Sequence, residues 1–306
     1  MNRLWSRAGL FLVVAASLAL LVARSRPLAR MSGTVEPLLF ATGLSEPRGL
    51  VSQPDGTLLA MQTGGGLARI DEAGAVATAG GAGAALLARA LAWPDSGPAD
   101  ARLPTGGTAW AAAADSRGAV YATLPLSNQL IRLSSGGTSG ASGSGGPTTA
   151  QPVTGFVGAD GRNPLPTGLT VGPDGALYVT LFAAEGARAT GGKVVRVEAD
   201  GRWQPIFEGL TYPTGLAFGA GGQLYVLELA RGFDERGQRY TPGSGRLLAL
   251  GPAPNRRRTV VREISYPTGI TIAPLGDVFF TENGLAGFGG AGHVLRVPAA
   301  GLTAGG

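Results

Sequence analysis

The sequence predicts an all-β chain, a β-propeller of four-stranded antiparallel blades closed by an N-terminal strand that completes the last blade. Three observations predict it. A Pro-Thr-Gly phrase followed by a Pro-Asp-Gly-type turn returns along the chain. Short, nearly continuous apolar runs flank each turn. Glycine and proline, 73 of 306 residues, fall at repeated places. That much of both marks disorder when aperiodic, and a repeated supersecondary unit when the spacing recurs.

The clearest copy runs from Leu165 to Thr180, and later copies begin at Tyr212 and Tyr266. The first copy begins at Glu46, and a worn one spans Gly107–Thr123 with Asp115–Gly118 as its turn. Prolines 166, 213 and 267 stand 47 and 54 residues apart. Within a copy, strand a (Gly168–Val171) meets strand b (Leu177–Leu181) through Pro-Asp-Gly, where glycine supplies the positive φ. Strand c follows at Lys193–Val197, Arg246–Leu250 and His293–Val297. Strand d is Trp203–Phe207, reached through Ala199-Asp200-Gly201. Strands a and b are apolar throughout, as sheets covered on both faces require.

The last copy stops after strand c. Glu36–Leu44 resembles the d-type stretch Gln204–Leu210 and is expected to supply the missing strand, which removes an open edge. Five repeats are visible. Residues 71–103, with Leu86–Trp93 among them, are long enough to hold more, so the expectation is five or six blades. Residues 134–151 are rich in Gly, Ser and Thr and read as a flexible insertion. The propeller is placed at 34–300 and a tail at 301–306.

Composition excludes several chemistries. Without cysteine there is no disulfide, thiolate metal site or thiol nucleophile. With one histidine, His293, a multi-His metal centre is impossible. The net charge of +5 comes from Arg3, Arg7, Arg24, Arg26 and Arg30, all ahead of the first acid, Glu36. The remainder is formally neutral and offers no basic face, so no nucleic-acid partner is expected. Arg3 and Arg7 precede an apolar run, Ala8–Ala23, that Arg24 closes. It is short for a membrane span, which needs about 20 residues, and its Leu21-Val22-Ala23 end makes a poor cleavage site. Residues 1–33 are read as a signal peptide or signal anchor, the anchor preferred. The domain is then extracytoplasmic, held at the membrane through residues 8–23 or released by cleavage.

The copies resemble the NHL/SMP-30-like propellers (six-bladed type) broadly and the ScyD/ScyE family more closely. The matches are Gly43–Leu50, Leu224–Glu228, Pro267-Thr268-Gly269 and Gly292–Val297, and the likeness covers about residues 35–300. The resemblance implies a propeller outside the cytoplasm and names no reaction.

In such a meander the d–a and b–c connections share one face. That face is expected to gather Arg48, Gln62, Thr167, Tyr212, Thr214, Tyr266 and Thr268 around the mouth of a central channel, the ordinary place for a ligand. Glu228, Glu282 and Asn283 depart from the other copies, with Thr180 and Ala60 taken as related positions, and are the candidate ligands for Ca²⁺ or Mg²⁺, the ions that suit oxygen donors. Pro-Thr-Gly also has a structural explanation, because each blade needs the same turn. The aspartates of the Pro-Asp-Gly-type turns are turn chemistry. His293 opens a strand, and Arg256-Arg257-Arg258 reads as a solvated loop. Gly287–Gly292 has dinucleotide-type glycine spacing, but a strand follows it instead of a helix.

Two functional classes follow. One is a binding or scaffold propeller holding a protein or small-molecule partner at the mouth. The alternative is a metal-dependent hydrolase or lactonase of SMP-30/gluconolactonase type. A quinone-dependent sugar dehydrogenase ranks third, since related enzymes rely on a His base and His293 is badly placed for that role.

Overall fold

The computed structural model describes residues 34–53, 55–62, 66–79, 109–135, 148–157, 163–182, 191–251, 256–285 and 291–303. The segment 1–33, the stretch with Leu86–Trp93 and residues 287–290 lie outside these.

Strand β1 (Leu38–Leu44) comes first. Blade 1 follows as β2 (Gly49–Ser52), β3 (Leu58–Met61), β4 (Leu67–Ile70) and β5 (Val76–Thr78). Blade 2 is β6 (Ala111–Ala114), β7 (Val120–Leu124), β8 (Gln129–Ser135) and β9 (Thr148–Gly155). Blade 3 is β10 (Pro166–Val171), β11 (Leu177–Leu181), β12 (Gly192–Val197) and β13 (Trp203–Leu210). Blade 4 comprises β14 (Pro213–Phe218), β15 (Leu224–Glu228), β18 (Gly245–Leu250) and β19 (Arg257–Ile264), with a small hairpin, β16 (Phe233–Asp234) and β17 (Arg239–Tyr240), set into its b–c connection. Blade 5 is β20 (Ile270–Ile272), β21 (Val278–Glu282), β22 (Gly292–Val297) and β1. A short helix, α1 (Ala299–Thr303), ends the described chain where a tail was expected.

The N-terminal strand therefore closes the ring as the sequence predicts, pairing antiparallel with β22 from Leu38–Arg296 to Leu44–Gly292. The five a strands touch in succession all the way round, with β2 against both β20 and β6. That closed inner ring settles the number of blades at five. Strands β8 and β9 run on into the insertion expected at 134–151, whose residues 136–147 lie outside the described set.

Hydrophobic cores form between blades. Leu50, Leu58 and Ile70 of blade 1 pack with Ala41, Phe279 and Val294 of blade 5. Tyr178, Val194 and Phe207 of blade 3 pack with Leu216, Val226 and Leu248 of blade 4. Strand b lies between two such layers, which is why β3, β11 and β15 are buried along their length.

Close to the axis the packing tightens from side chains to backbone. A Cβ built on Gly168 would stand 2.7 Å from the Cα of Gly215, and one on Gly269 would stand 2.7 Å from the Arg48 carbonyl oxygen. Nothing larger than glycine fits there without moving a neighbouring strand. The residue two places before that glycine is proline in four blades, and the residue before the proline has positive φ each time: Glu46, Leu165, Tyr212 and Tyr266, at 44 to 52°. Non-glycine residues seldom adopt this conformation, so the same local strain is imposed four times by the need to turn from an outer strand to an inner one.

Hydroxyls then join the blades. Thr167 donates to the Pro213 carbonyl at 2.8 Å, Thr214 to the Pro267 carbonyl at 2.8 Å, and Thr268 to the Pro47 carbonyl. In blade 3 the relay begins with the Gly168 N–H, which donates to Thr180 Oγ1 at 2.7 Å. Thr180 and Thr167 hydroxyls lie 2.9 Å apart. Thr167 has one proton and gives it to Pro213, so Thr180 must be the donor between them. Blade 5 repeats this through Gly269, Thr281 and Thr268. Replacing Thr214 with Val keeps the volume and leaves the buried Pro267 carbonyl without that donor. We expect a loss of about 1–3 kcal/mol, read as a lower denaturant midpoint with an unchanged m-value; an unchanged midpoint would remove this bond from the blade-joining set.

Candidate functional site

Register between strands equates one inner position in all five blades: Arg48, Trp110, Thr167, Thr214 and Thr268. All are buried. Three threonines hold neighbouring blades, and the two exceptions fill the axis. The Trp110 indole N–H donates to the Thr214 carbonyl at 3.1 Å, reaching from blade 2 past blade 3 to blade 4. The Arg48 guanidinium carbon lies 5.7 Å from the Trp110 ring centroid. Burial lowers the Arg48 pKa from its ordinary value, with the Glu46 charge opposing the shift. Arg48 is thus a cation stacked on an indole inside the ring, not a side chain presented at an open mouth. Trp110 was missed because its copy is worn; counting back from the Asp115–Gly118 turn would have placed it opposite the threonines.

Tyr212 and Tyr266 belong to an aromatic layer over the ring. Phe182 and Tyr212 have ring centroids 5.2 Å apart, Tyr212 and Tyr240 5.1 Å, and Phe233 and Tyr240 4.9 Å. The Tyr266 hydroxyl donates to the Tyr240 carbonyl at 3.0 Å. Tyr240 and Phe233 come from the inserted hairpin, whose two-residue strands leave no periodic trace in sequence. Trp110, Leu169, Tyr212, Tyr240 and Tyr266 share one buried cluster, so the layer is continuous with the filled axis.

The acidic candidates stand at the ends of b strands. The ladder pairs Pro166 with Leu181 and Pro213 with Glu228. The equivalents of Glu228 and Glu282 are therefore Gln62, Leu124 and Leu181. This corrects the comparison with Thr180 and Ala60 by one residue or more. The three polar members have a common task. Gln62 accepts the Ser45 N–H at 2.7 Å, Glu228 the Thr211 N–H at 2.7 Å, and Glu282 the Ser265 N–H at 3.0 Å. Each fastens the d–a connection entering its own blade. In blade 3, where leucine stands at this place, Asn128 accepts the Leu165 N–H instead, at 3.2 Å.

Glu228 is 1% exposed, and its second oxygen is paired with Arg246, directly opposite on β18. Both oxygens are thereby engaged. Glu282 is freer: its Oε2 lies 3.7 Å from His293 Nδ1, and both side chains are partly exposed. Asn283 follows with φ 56° and donates to the Ala291 carbonyl at 3.3 Å. Among the described residues no three His, Asp or Glu side chains gather as a metal-binding group.

A cleft of about 830 Å³ lies on the opposite face, between the turns of blades 2 and 3. Asp115, Asp174, Arg196 and Asp200 line it, and each carboxylate already accepts hydrogen bonds within its own blade. Asp174 accepts from Arg196 at 2.8 Å and from the Tyr178 hydroxyl at 3.0 Å. Burial works to raise its pKa, but the bonds from Arg196, the Ala176 N–H and Tyr178 outweigh that and hold it below the ordinary carboxylate value. Asp55 is lowered by the Thr57 hydroxyl and N–H, and Asp200 by the Arg202 N–H and side chain.

No protein-family model and no curated protein matches the chain. Solved structures do. The PQQ-bound aldose sugar dehydrogenase of Streptomyces coelicolor is 18% identical, with a TM-score of 0.50 over 87% of this chain and 98% of that one. A gluconolactonase of Xanthomonas campestris is 17% identical, with a TM-score of 0.43 over 89% and 94%. Virginiamycin B lyase of Staphylococcus aureus is 15% identical, with a TM-score of 0.40 over 86% and 74%. The chain is a β-propeller, similar in fold to the sugar dehydrogenase, and identities this low speak to fold alone.

Two outcomes follow from this geometry. Glu228→Ala leaves Arg246 half-buried without its partner and frees the Thr211 N–H, and should cost about 3–5 kcal/mol. Glu228→Ala with Arg246→Leu should recover part of that loss, and equal losses in both variants would mean that the stranded Arg246 charge adds nothing to the cost. Second, aspartates with depressed folded pKa values stabilise fully above the ordinary carboxylate pKa of about 3.9. That contribution is lost as pH falls through the lower folded values. A melting series toward strong acid should therefore drop less steeply for Asp174→Asn than for the parent.

Proposed function

We propose that this chain is a non-enzymatic propeller, directed out of the cytoplasm by residues 1–33, that binds a protein or small-molecule partner at the rim of its d–a and b–c connections. One observation carries the reading: most of the polar groups at that face are engaged in holding the fold. Glu228 is held by Arg246 and Thr211, the threonines bridge blades, and Arg48 lies buried against Trp110. The rim still presents a binding surface, since the hairpin carries exposed Asp234, Arg236 and Arg239. We also assign the chain to the ScyD/ScyE family, on Gly43–Leu50, Leu224–Glu228 and Gly292–Val297; those stretches hold strand-b, strand-c and connection residues that build this face.

The metal-dependent hydrolase or lactonase is the second reading, favoured by Glu282, Asn283 and His293 standing together, partly exposed, at the blade 5 rim. Ca²⁺ or Mg²⁺ bound there would polarise a lactone carbonyl. Glu228 does not fit such a centre with both oxygens engaged.

Thermal melts in chelator and then with Ca²⁺, Mg²⁺, Mn²⁺ or Zn²⁺ separate the readings. An ion at 100-fold over its dissociation constant adds about 2.7 kcal/mol, several degrees at roughly 2–4 °C per kcal/mol. We expect no ion to produce that shift and no turnover of lactone or ester substrates. A shift that disappears in Glu282→Gln, together with lactone hydrolysis, would overturn the binding reading in favour of the hydrolase.

A further inference from the structure

Strand register aligns one row of side chains across each sheet. In blade 2 the row is Ala113, Tyr121, Arg132 and Gln151. In blade 3 it is Thr170, Tyr178, Arg196 and Gln204. Strand c carries arginine in this row in four blades, at Arg69, Arg132, Arg196 and Arg296. Three of them pair with an aspartate from the a–b turn of their own blade: Arg69 with Asp55 at 3.1 Å, Arg196 with Asp174 at 2.8 Å, and Arg296 with Asp277 at 2.7 Å. The Arg132 side chain has no ion pair or hydrogen bond among the described residues.

The turn of blade 2 explains the difference. Blades 1 and 3 place Asp55 and Asp174 just before the positive-φ glycines Gly56 and Gly175, and blade 2 places Arg117 just before Gly118. Two exposed arginines thus hold the place of an aspartate–arginine pair. Asp115, two residues earlier, accepts the Arg117 and Ala119 N–H groups at 2.9 Å each, and its other oxygen lies 3.4 Å from the Tyr121 hydroxyl. One carboxylate is left for two guanidinium groups. The ring beside Arg132 is also uncovered. Tyr178, Tyr225 and Phe279 stand in the same row of their own b strands and are buried, whereas Tyr121 is half-buried. Phe218 of blade 4 covers Tyr178, with ring centroids 4.8 Å apart. Register equates Phe218 with Val171 of blade 3, so a valine faces the cleft where the next blade offers a ring.

Arg117, Tyr121, Arg132, Gln151 and Val171 all line the cleft of about 830 Å³ between blades 2 and 3. The c–d turn of blade 3 rests on β9 and fixes one wall: a Cβ on Gly201 would stand 2.4 Å from the Val153 carbonyl oxygen. Acids on the blade 3 wall are committed, Asp174 and Glu198 to Arg196 and Asp200 to Arg202. Uncompensated charge therefore lies on the blade 2 wall, and it is positive. We propose that this cleft binds an acidic saccharide. A sugar carboxylate takes the place of the absent aspartate between Arg117 and Arg132, and the sugar ring lies on Tyr121 with hydroxyls toward Gln151. Arginine matches a carboxylate through paired N–H donors, and tyrosine supplies a flat apolar face with few torsions to immobilise. The site is on the face opposite the d–a and b–c rim and does not depend on the partner proposed there.

Titration calorimetry of the full-length chain tests this with trigalacturonate, maltotriose and inorganic phosphate as probes. We expect binding of trigalacturonate alone. Arg132→Ala and Tyr121→Ala should each weaken it by about tenfold or more, the loss expected for a bond to a charged group or a stacking surface. Arg117→Asp restores the pair found in blades 1 and 3, and should abolish binding without lowering the melting temperature. Arg69→Ala removes the same strand-c arginine outside the cleft and should leave binding unchanged. Maltotriose bound as well as trigalacturonate overturns the role of the carboxylate. Phosphate bound with the same dependence on Arg132 overturns the saccharide. Binding of none of the three, or binding that survives both Arg132→Ala and Arg117→Asp, overturns the site.

Discussion

The bond from an inner-ring threonine to the proline carbonyl of the next blade is the interaction on which this fold depends. Blades of a propeller share no sheet hydrogen bonds, so apolar packing alone would let them slide. Packing is non-directional. The bonds from Thr167 to Pro213, Thr214 to Pro267 and Thr268 to Pro47 fix the angular position of four of the five blades at the radius where backbones touch. Glycine at the next residue permits that approach, and the left-handed residue before each proline directs the chain into it.

Blades 1 and 2 break the threonine series with the two largest side chains in the ring, Arg48 and Trp110, which pack on each other. Three threonines leave a space at the axis, and an indole that donates to a carbonyl two blades away fills it. The same economy governs the ends of the b strands. Gln62, Glu228 and Glu282 look like departures from a repeat, yet each accepts one N–H from the connection entering its blade. A buried backbone donor must be satisfied somewhere, and blade 3, with Leu181 at this place, recruits Asn128. Glu282, which keeps one oxygen toward His293, is the member with capacity beyond that task.

Local physics carried most of the architecture in the sequence itself. Short continuous apolar runs and positive-φ turn glycines do not depend on distant partners, so the strands, the turns at Asp115, Asp174 and Asp200, and the ring-closing strand at Leu38–Leu44 were all legible. The hairpin at Phe233–Tyr240 was not, because two-residue strands have no period, and neither was the helix at Ala299–Thr303. The equivalence of Glu228 with Leu181 was missed by one position, since unequal turns between copies hide what only paired strands reveal.

The sequence by itself determined the five repeats, the order of strands within each and the way the ring closes, because those follow from patterns inside about 50 residues. Tertiary structure alone decided what the conspicuous side chains do. Whether Glu228 faces solvent or Arg246 depends on strand register, and whether Arg48 lines a channel or lies on Trp110 depends on five blades meeting at one axis, contacts that no single repeat contains.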